Sequence, residues 1–189
     1  MTRSIACLGL LLSLILLGGR EAPAETGFQL GLPNLNVPRD PDVNGFRLSF
    51  LYGENRQMRG FDLGLLSVSE TSRMSGVALV GGVSRITGEM SSGASFSLVN
   101  FHTGRDSGMN AAFINLLDDA GQAFNTGFVT IARGRTGVDL GGINLSEGSK
   151  AQIGFVNITK EIESFQLGFL NMAENGFLPV FPFFNFPKD

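Results

Sequence analysis

The chain has 189 residues, with 14 Lys and Arg against 17 Asp and Glu, and one histidine. A formal charge of −3 excludes the basic face that nucleic acid requires. The only cysteine, Cys7, excludes internal disulfides and thiolate clusters, and the length fits one domain.

Residues 1–24 read as a cleaved export signal. Arg3 supplies the positive start, ACLGLLLSLILLGG (6–19) the apolar run, and Ala22-Pro23-Ala24 the small residues of a cleavage site. The run is short for a membrane span, and no other segment reaches about 18 uninterrupted apolar residues. The expected mature chain, 25–189, has no cysteine and forms one repeat-built domain with a Phe/Pro-rich tail over 177–189.

A short phrase recurs along this domain. Ten units align: GFQLGLPN (27–34), GFRLSFLY (45–52), GFDLGLLS (60–67), GVALVGGV (76–83), GASFSLVN (93–100), GMNAAFIN (108–115), TGFVTIAR (126–133), GVDLGGIN (137–144), KAQIGFVN (150–157) and SFQLGFLN (164–171). Their second, fourth and sixth positions are mostly apolar, and the third and fifth small or polar. That period of two predicts a half-buried strand for each unit. Leading glycines permit positive φ at strand starts, and the closing asparagines suit turns. NLLDDAGQAF (115–124) has room for one helical turn. The fold class is all-β.

Two stackings compete. A parallel β-solenoid makes each unit one coil; an antiparallel meander makes each pair a hairpin. The fifth positions fall at Gly31, Ser49, Gly64, Val80, Ser97, Ala112, Thr130, Gly141, Gly154 and Gly168, in steps of 18 down to 11 residues. The 11-residue step from Thr130 to Gly141 is too short for a coil and reads as a hairpin with Arg133-Gly134-Arg135-Thr136 at its tip. The expectation is therefore an antiparallel up-and-down meander of about ten short strands closing into a shallow barrel, which removes exposed edges. Pro179, Pro182 and Pro187 assign the tail to an edge or a cap.

The units and the terminal FLPVFPFFNF resemble a group of exported bacterial surface-repeat proteins. They also resemble the shallow hairpin-petal barrels called β-flowers, a fold compared with the tubby C-terminal barrel. The resemblance covers about residues 27–186 and implies a barrel and an exported location; it carries over no catalytic residue. The tubby comparison implies a phosphoinositide-type ligand, for which this chain has no Lys/Arg cluster.

Phe28, Phe46, Phe50, Phe61, Phe96, Phe113, Phe155, Phe165 and Phe169 lie on the apolar stripe. Strand units of six to eight residues fall short of the ~9–11 that a transmembrane strand needs. The absence of Trp and a lone Tyr52 give no interfacial girdle. The stripe is therefore expected to face inward, with Phe61, Leu63, Leu140, Ile153, Phe155, Leu167 and Phe169 buried together.

Legible chemistry is sparse. His102 has no G-x-S-x-G partner and reads as a solvated loop residue. Asp118-Asp119 and Glu161/Glu163 lack calcium-loop spacing. Arg133 and Arg135 read as exposed turn residues, with an anion pinch as the alternative. Asn34, Asn100, Asn115, Asn144, Asn157 and Asn171 read as turn residues, and Asn144 and Asn157 begin N-glycosylation patterns. No catalytic, metal or cofactor residue is assigned. The expected role is a non-enzymatic protein of the periplasm, cell surface or outer membrane that contacts lipid or an apolar envelope component. Its contact rim is Phe181, Phe183, Phe184 and Phe186. The alternative is a small outer-membrane barrel acting as pore or anchor.

Overall fold

The computed structural model describes residues 25–188, so the export-signal expectation for 1–24 lies outside the described residues. Six strand segments follow in order: β1 (Glu25–Leu32), β2 (Leu35–Val37), β3 (Asp42–Asp106), β4 (Met109–Ala132), β5 (Arg135–Ala173) and β6 (Val180–Asn185). β3, at 65 residues, is no ordinary strand; it winds through several coils without leaving extended geometry. The chain is all-β, 90% strand, and forms a β-solenoid of about eight turns.

Strand direction overturns the meander. β1 pairs with β3, β3 with β4 and β4 with β5, each in parallel. The antiparallel barrel, and with it the barrel that the β-flower resemblance implied, is replaced by coils stacked along one axis. The error arose in one unit. Thr126 pairs with Leu140 and Gly127 with Gly141, so the unit in that coil is AFNTGFVT (123–130) and its fifth position is Gly127, not Thr130. With that register, the step from Ala112 is 15 residues and the step on to Gly141 is 14. Both are long enough to travel round a coil. Arg133-Gly134-Arg135 is a corner between coils, where the Arg133 amide donates to the Leu117 carbonyl. The NLLDDAGQAF stretch is strand throughout, with no helical turn.

The second correction concerns the inside. The Phe/Leu stripe and the glycines do face opposite ways, but it is the glycine side that points in. Phe155 and Phe169 are 63% and 61% exposed, and Leu140 and Leu167 are also exposed. Phe61, Leu63 and Ile153 are only half-buried. Inside lie the third positions (Gln29, Arg47, Asp62, Asn110, Asn125, Asp139, Gln152 and Gln166), together with Asn100, Asn115, Asn144, Asn157 and Asn171. Apolar burial gathers in two small clusters, with Ala151, Ile162 and Ala173 buried apart from them. Val43, Met58, Met74, Ala78, Val80, Ile86 and Met90 fill the first coils, and Leu117, Ala120, Ala123 and Ala132 the middle.

Coils stack closely where the units begin: a Cβ on Gly60 would lie 2.2 Å from the Gly45 carbonyl oxygen, and Gly60 has φ +119°, where side chains are strained. Inside, equivalent amides one coil apart bond to each other along the axis. Asn144 donates to Asn157 and Asn157 to Asn171, each at 2.8 Å; Gln166 donates to Gln152 at 2.8 Å. Amide ladders of this kind suit an in-register parallel stack.

Energetic weight thus lies on the amides. Asn157→Ala would take the Asn157 donor from the Leu167 carbonyl and from Asn171 Oδ1, at about 1–3 kcal/mol for each buried group left unpaired, while Asn144 keeps its bond to the Ile153 carbonyl. Phe169→Ala removes an exposed ring whose main contact is its stack on Phe155, 5.1 Å away, and should cost at most about 1.5 kcal/mol. Urea midpoints are expected to fall further for Asn157→Ala. The reverse order would put the rings back in the core.

Candidate functional site

Because alternate residues of a strand point to opposite faces, a polar interior forces the apolar positions outward. Five residues beyond the start of each unit, one external column carries Phe50, Leu65, Leu98, Phe113, Phe128, Phe155 and Phe169, all exposed. Neighbouring rings stack: Phe113 on Phe128 at 5.3 Å, Phe155 on Phe169 at 5.1 Å, and, in the column of second positions, Phe28 on Phe46 on Phe61. No charged residue occupies the second, fourth or sixth position of any unit in the corrected register. The result is one apolar sheet face running along the solenoid.

Charges gather away from it, mostly in pairs one coil apart. Arg135 forks between Glu161 at 2.9 Å and Glu163; Lys160 meets Glu147 at 2.6 Å; Arg56 holds Asp42 at 2.5 Å. Asp118 faces Arg133 at 3.7 Å and Asp119 faces Arg105 at 3.8 Å. Arg133 and Arg135 are thus each paired with carboxylates rather than set to pinch an anion. Among the described residues, no group of three His, Cys, Asp or Glu side chains is placed to hold a metal ion.

The tail residues form a distinct feature. β6 adds to β5 antiparallel at the last edge, with Phe184 beside Leu167 and Phe183 beside Gly168. Phe177, Phe181, Phe184 and Phe186 pack as one aromatic cluster with centroids 4.8–6.3 Å apart. Phe183 stands clear at 68% exposure, with φ +71° turning it outward. Three of the four expected rim residues therefore pack against each other, and the fourth faces solvent.

Sequence reasoning missed the interior networks. Arg47, fully buried, binds Asp62 through two bonds of 2.8 and 2.6 Å and also reaches Ser69, Thr71 and the Glu70 carbonyl. His102 is not a solvated loop residue; it is 1% exposed, with Nδ1 2.6 Å from Asp106, which also accepts from Asn110. The other ring nitrogen, Nε2, meets no partner, so no nucleophile completes a catalytic arrangement there. Of the asparagines read as turn residues, Asn34 alone is exposed and left-handed, at φ +61°. Asn144 and Asn157, the glycosylation-pattern residues, are 0% exposed. Only the repeat of polar types at a fixed place in successive units could have signalled these ladders.

Comparison with known proteins adds no relative: no family model matches the sequence, and no curated protein or solved structure shows significant similarity to it. Among the described residues, no helix is long and apolar enough to cross a membrane, which leaves strands out of consideration.

Asp139 offers a pH test of the interior. Burial pushes its carboxyl above the ordinary 3.8, while bonds from Thr136, Asn125, Gln152 and Ser149 pull it down. With a raised folded value, the native state keeps a proton that the unfolded chain has released. Stability contributed by this group is then complete below 3.8 and is lost as pH rises through the folded value. Asp139→Asn removes that titration and leaves an amide such as Asn125 already presents. Its urea midpoint should gain on that of the wild type between pH 4 and pH 7. A constant difference would mean that the carboxylate ionises there at no cost.

Proposed function

We propose that the chain is a non-enzymatic exported β-repeat protein that works by laying its apolar sheet face on lipid or another apolar component of the cell envelope. One observation carries the reading: an uncharged column of stacked Phe and Leu stays exposed on the outside of the solenoid, an apolar patch of the kind that marks a contact surface. The export-like segment at 1–24 and the resemblance to exported surface-repeat proteins support the location in the envelope. The aromatic tail, with Phe183 free at its edge, extends the same contact as a rim at the last coil. The pore or anchor alternative loses its support with the barrel.

Flotation of the mature chain on zwitterionic phosphatidylcholine vesicles tests the reading. The wild type should float, and added salt should not release it, because apolar contact is not screened. Phe155→Gln with Phe169→Gln should abolish most of the flotation, and Phe183→Gln should weaken it. A folded wild type that stays at the bottom of the gradient, or one that salt releases, would end this reading.

A further inference from the structure

Two asparagines in the chain are followed by glycine, in Asn44-Gly45 and Asn175-Gly176. In such a pair the glycine nitrogen can attack the side-chain amide carbon of the asparagine before it, and glycine has no Cβ to obstruct the approach. The fold holds the two pairs differently.

At Asn175 every reacting group is engaged. Oδ1 accepts from the Ile162 amide at 2.8 Å and Nδ2 donates to the Ile162 carbonyl at 2.9 Å, which ties the side chain to the neighbouring coil. The attacking nitrogen, that of Gly176, donates to the Ala173 carbonyl at 3.0 Å. All three bonds must open before a ring can close.

Asn44 has no such restraint. Its side chain is exposed, and its one hydrogen bond among the described residues runs from Nδ2 to Glu25 at 3.4 Å, also on the surface. Asn44 and Gly45 stand opposite the single Gly27 of β1, between the pairs Thr26–Val43 and Phe28–Phe46, so the ladder is interrupted there by a bulge. The stack nonetheless fixes the glycine: a Cβ on Gly45 would lie 2.2 Å from the Gly27 carbonyl oxygen, and its φ is +153°. The same column continues through Gly60, Gly76, Gly93 and Gly108, preceded by Arg59, Ser75, Ser92 and Ser107. None of those four has a side-chain carbonyl. The fold thus demands the glycine, leaves the residue before it free, and sets a reactive amide there in one of these five coils.

We infer that Asn44 is a site of spontaneous deamidation in the folded protein, with Asn175 as its protected counterpart. A bond forms between the Gly45 nitrogen and Asn44 Cγ. The Cγ–Nδ2 bond breaks, and the nitrogen leaves as ammonia with the proton of the Gly45 N–H. Water then opens the succinimide. Addition at Cγ gives aspartate; addition at the main-chain carbonyl gives isoaspartate, whose backbone runs through Cβ and Cγ. Either product ends the bond from Nδ2 to Glu25 and sets a second carboxylate near the Glu25–Arg59 pair, itself 3.4 Å apart.

Incubation of the purified chain in mildly alkaline buffer, followed by trypsin and mass spectrometry, tests this whatever flotation shows. Peptide 40–47 reports Asn44 and holds no other Asn or Gln, and peptide 161–188 reports Asn175 through its fragments. In the folded chain, peptide 40–47 should take on the mass of OH in place of NH2 and accept methyl groups from an isoaspartyl methyltransferase. Asn175 should convert at least about tenfold more slowly, because three hydrogen bonds hold its reacting groups. In urea, where those bonds are gone, the two sites should convert at similar rates. Asn44→Gln should leave peptide 40–47 unchanged over the same period, since the longer side chain closes its ring more slowly. Equal rates at both sites in the folded chain, an Asn44 that converts only in urea, or an Asn175 that stays slow in urea would each overturn the inference.

Discussion

Successive coils approach so closely along their glycine columns that no side chain can stand between one strand and the next there. A Cβ at Gly141 would sit 2.1 Å from the Gly127 carbonyl oxygen, and one at Gly168 would sit 2.0 Å from that of Gly154. The enclosed side chains run from Ser and Ala through Asn, Gln and Met to Arg47 and His102, and no Phe is among them. Within positions two to six of a unit side chains alternate, so seating the third and fifth positions inside sets the rings of the second and sixth outside.

The amide interior also explains why a parallel stack holds with little buried hydrocarbon. Along the ladders a buried amide that would be costly alone donates to the amide of a neighbouring coil, as Asn144 does to Asn157 and Asn157 to Asn171, although the side-chain oxygens of Asn144 and Gln166 meet no partner. Where the ladder changes character, local networks take over: Arg47 with Asp62, His102 with Asp106, Asp139 among its four donors. Both ends of the stack carry antiparallel segments, β2 at the first coil and β6 at the last. β2 pairs with residues 30–32 of β1 and β6 with residues 166–172 of β5, and Pro182 within β6 withholds an amide from any strand beyond it.

The outer surface divides its labour by position within the unit. Second, fourth and sixth positions carry carbon, whereas the corners between units carry Arg, Lys, Asp and Glu, paired across coils at 2.5–3.8 Å. Under the proposed function, the carbon face would meet the surface and the paired charges would stay in water.

Period-two alternation, the glycine-led units and the absence of helix were all legible from the chain, because they are local consequences of extended backbone geometry. So was the place of the proline-bearing tail at an edge, since proline cannot donate to a ladder. The direction of stacking was not: it turned on whether Gly127 or Thr130 faces Gly141, and both choices preserve a plausible unit. Nor was the identity of the inner face, because alternation says that Phe155 and Gly154 point oppositely without saying which points in. Burying carbon is the usual choice, and here the enclosed third and fifth positions carry mostly Gln, Asn, Asp, Gly and Ser instead. His102, Asn144 and Asn157 went unread for the same cause: each follows a strand unit as a turn residue would, and only the closed coil turns it inward. The sequence by itself determined the repeating strand and its two chemically opposed faces. The tertiary structure decided which face the coil encloses, since local alternation is identical for either choice and only the closure of the coil selects one.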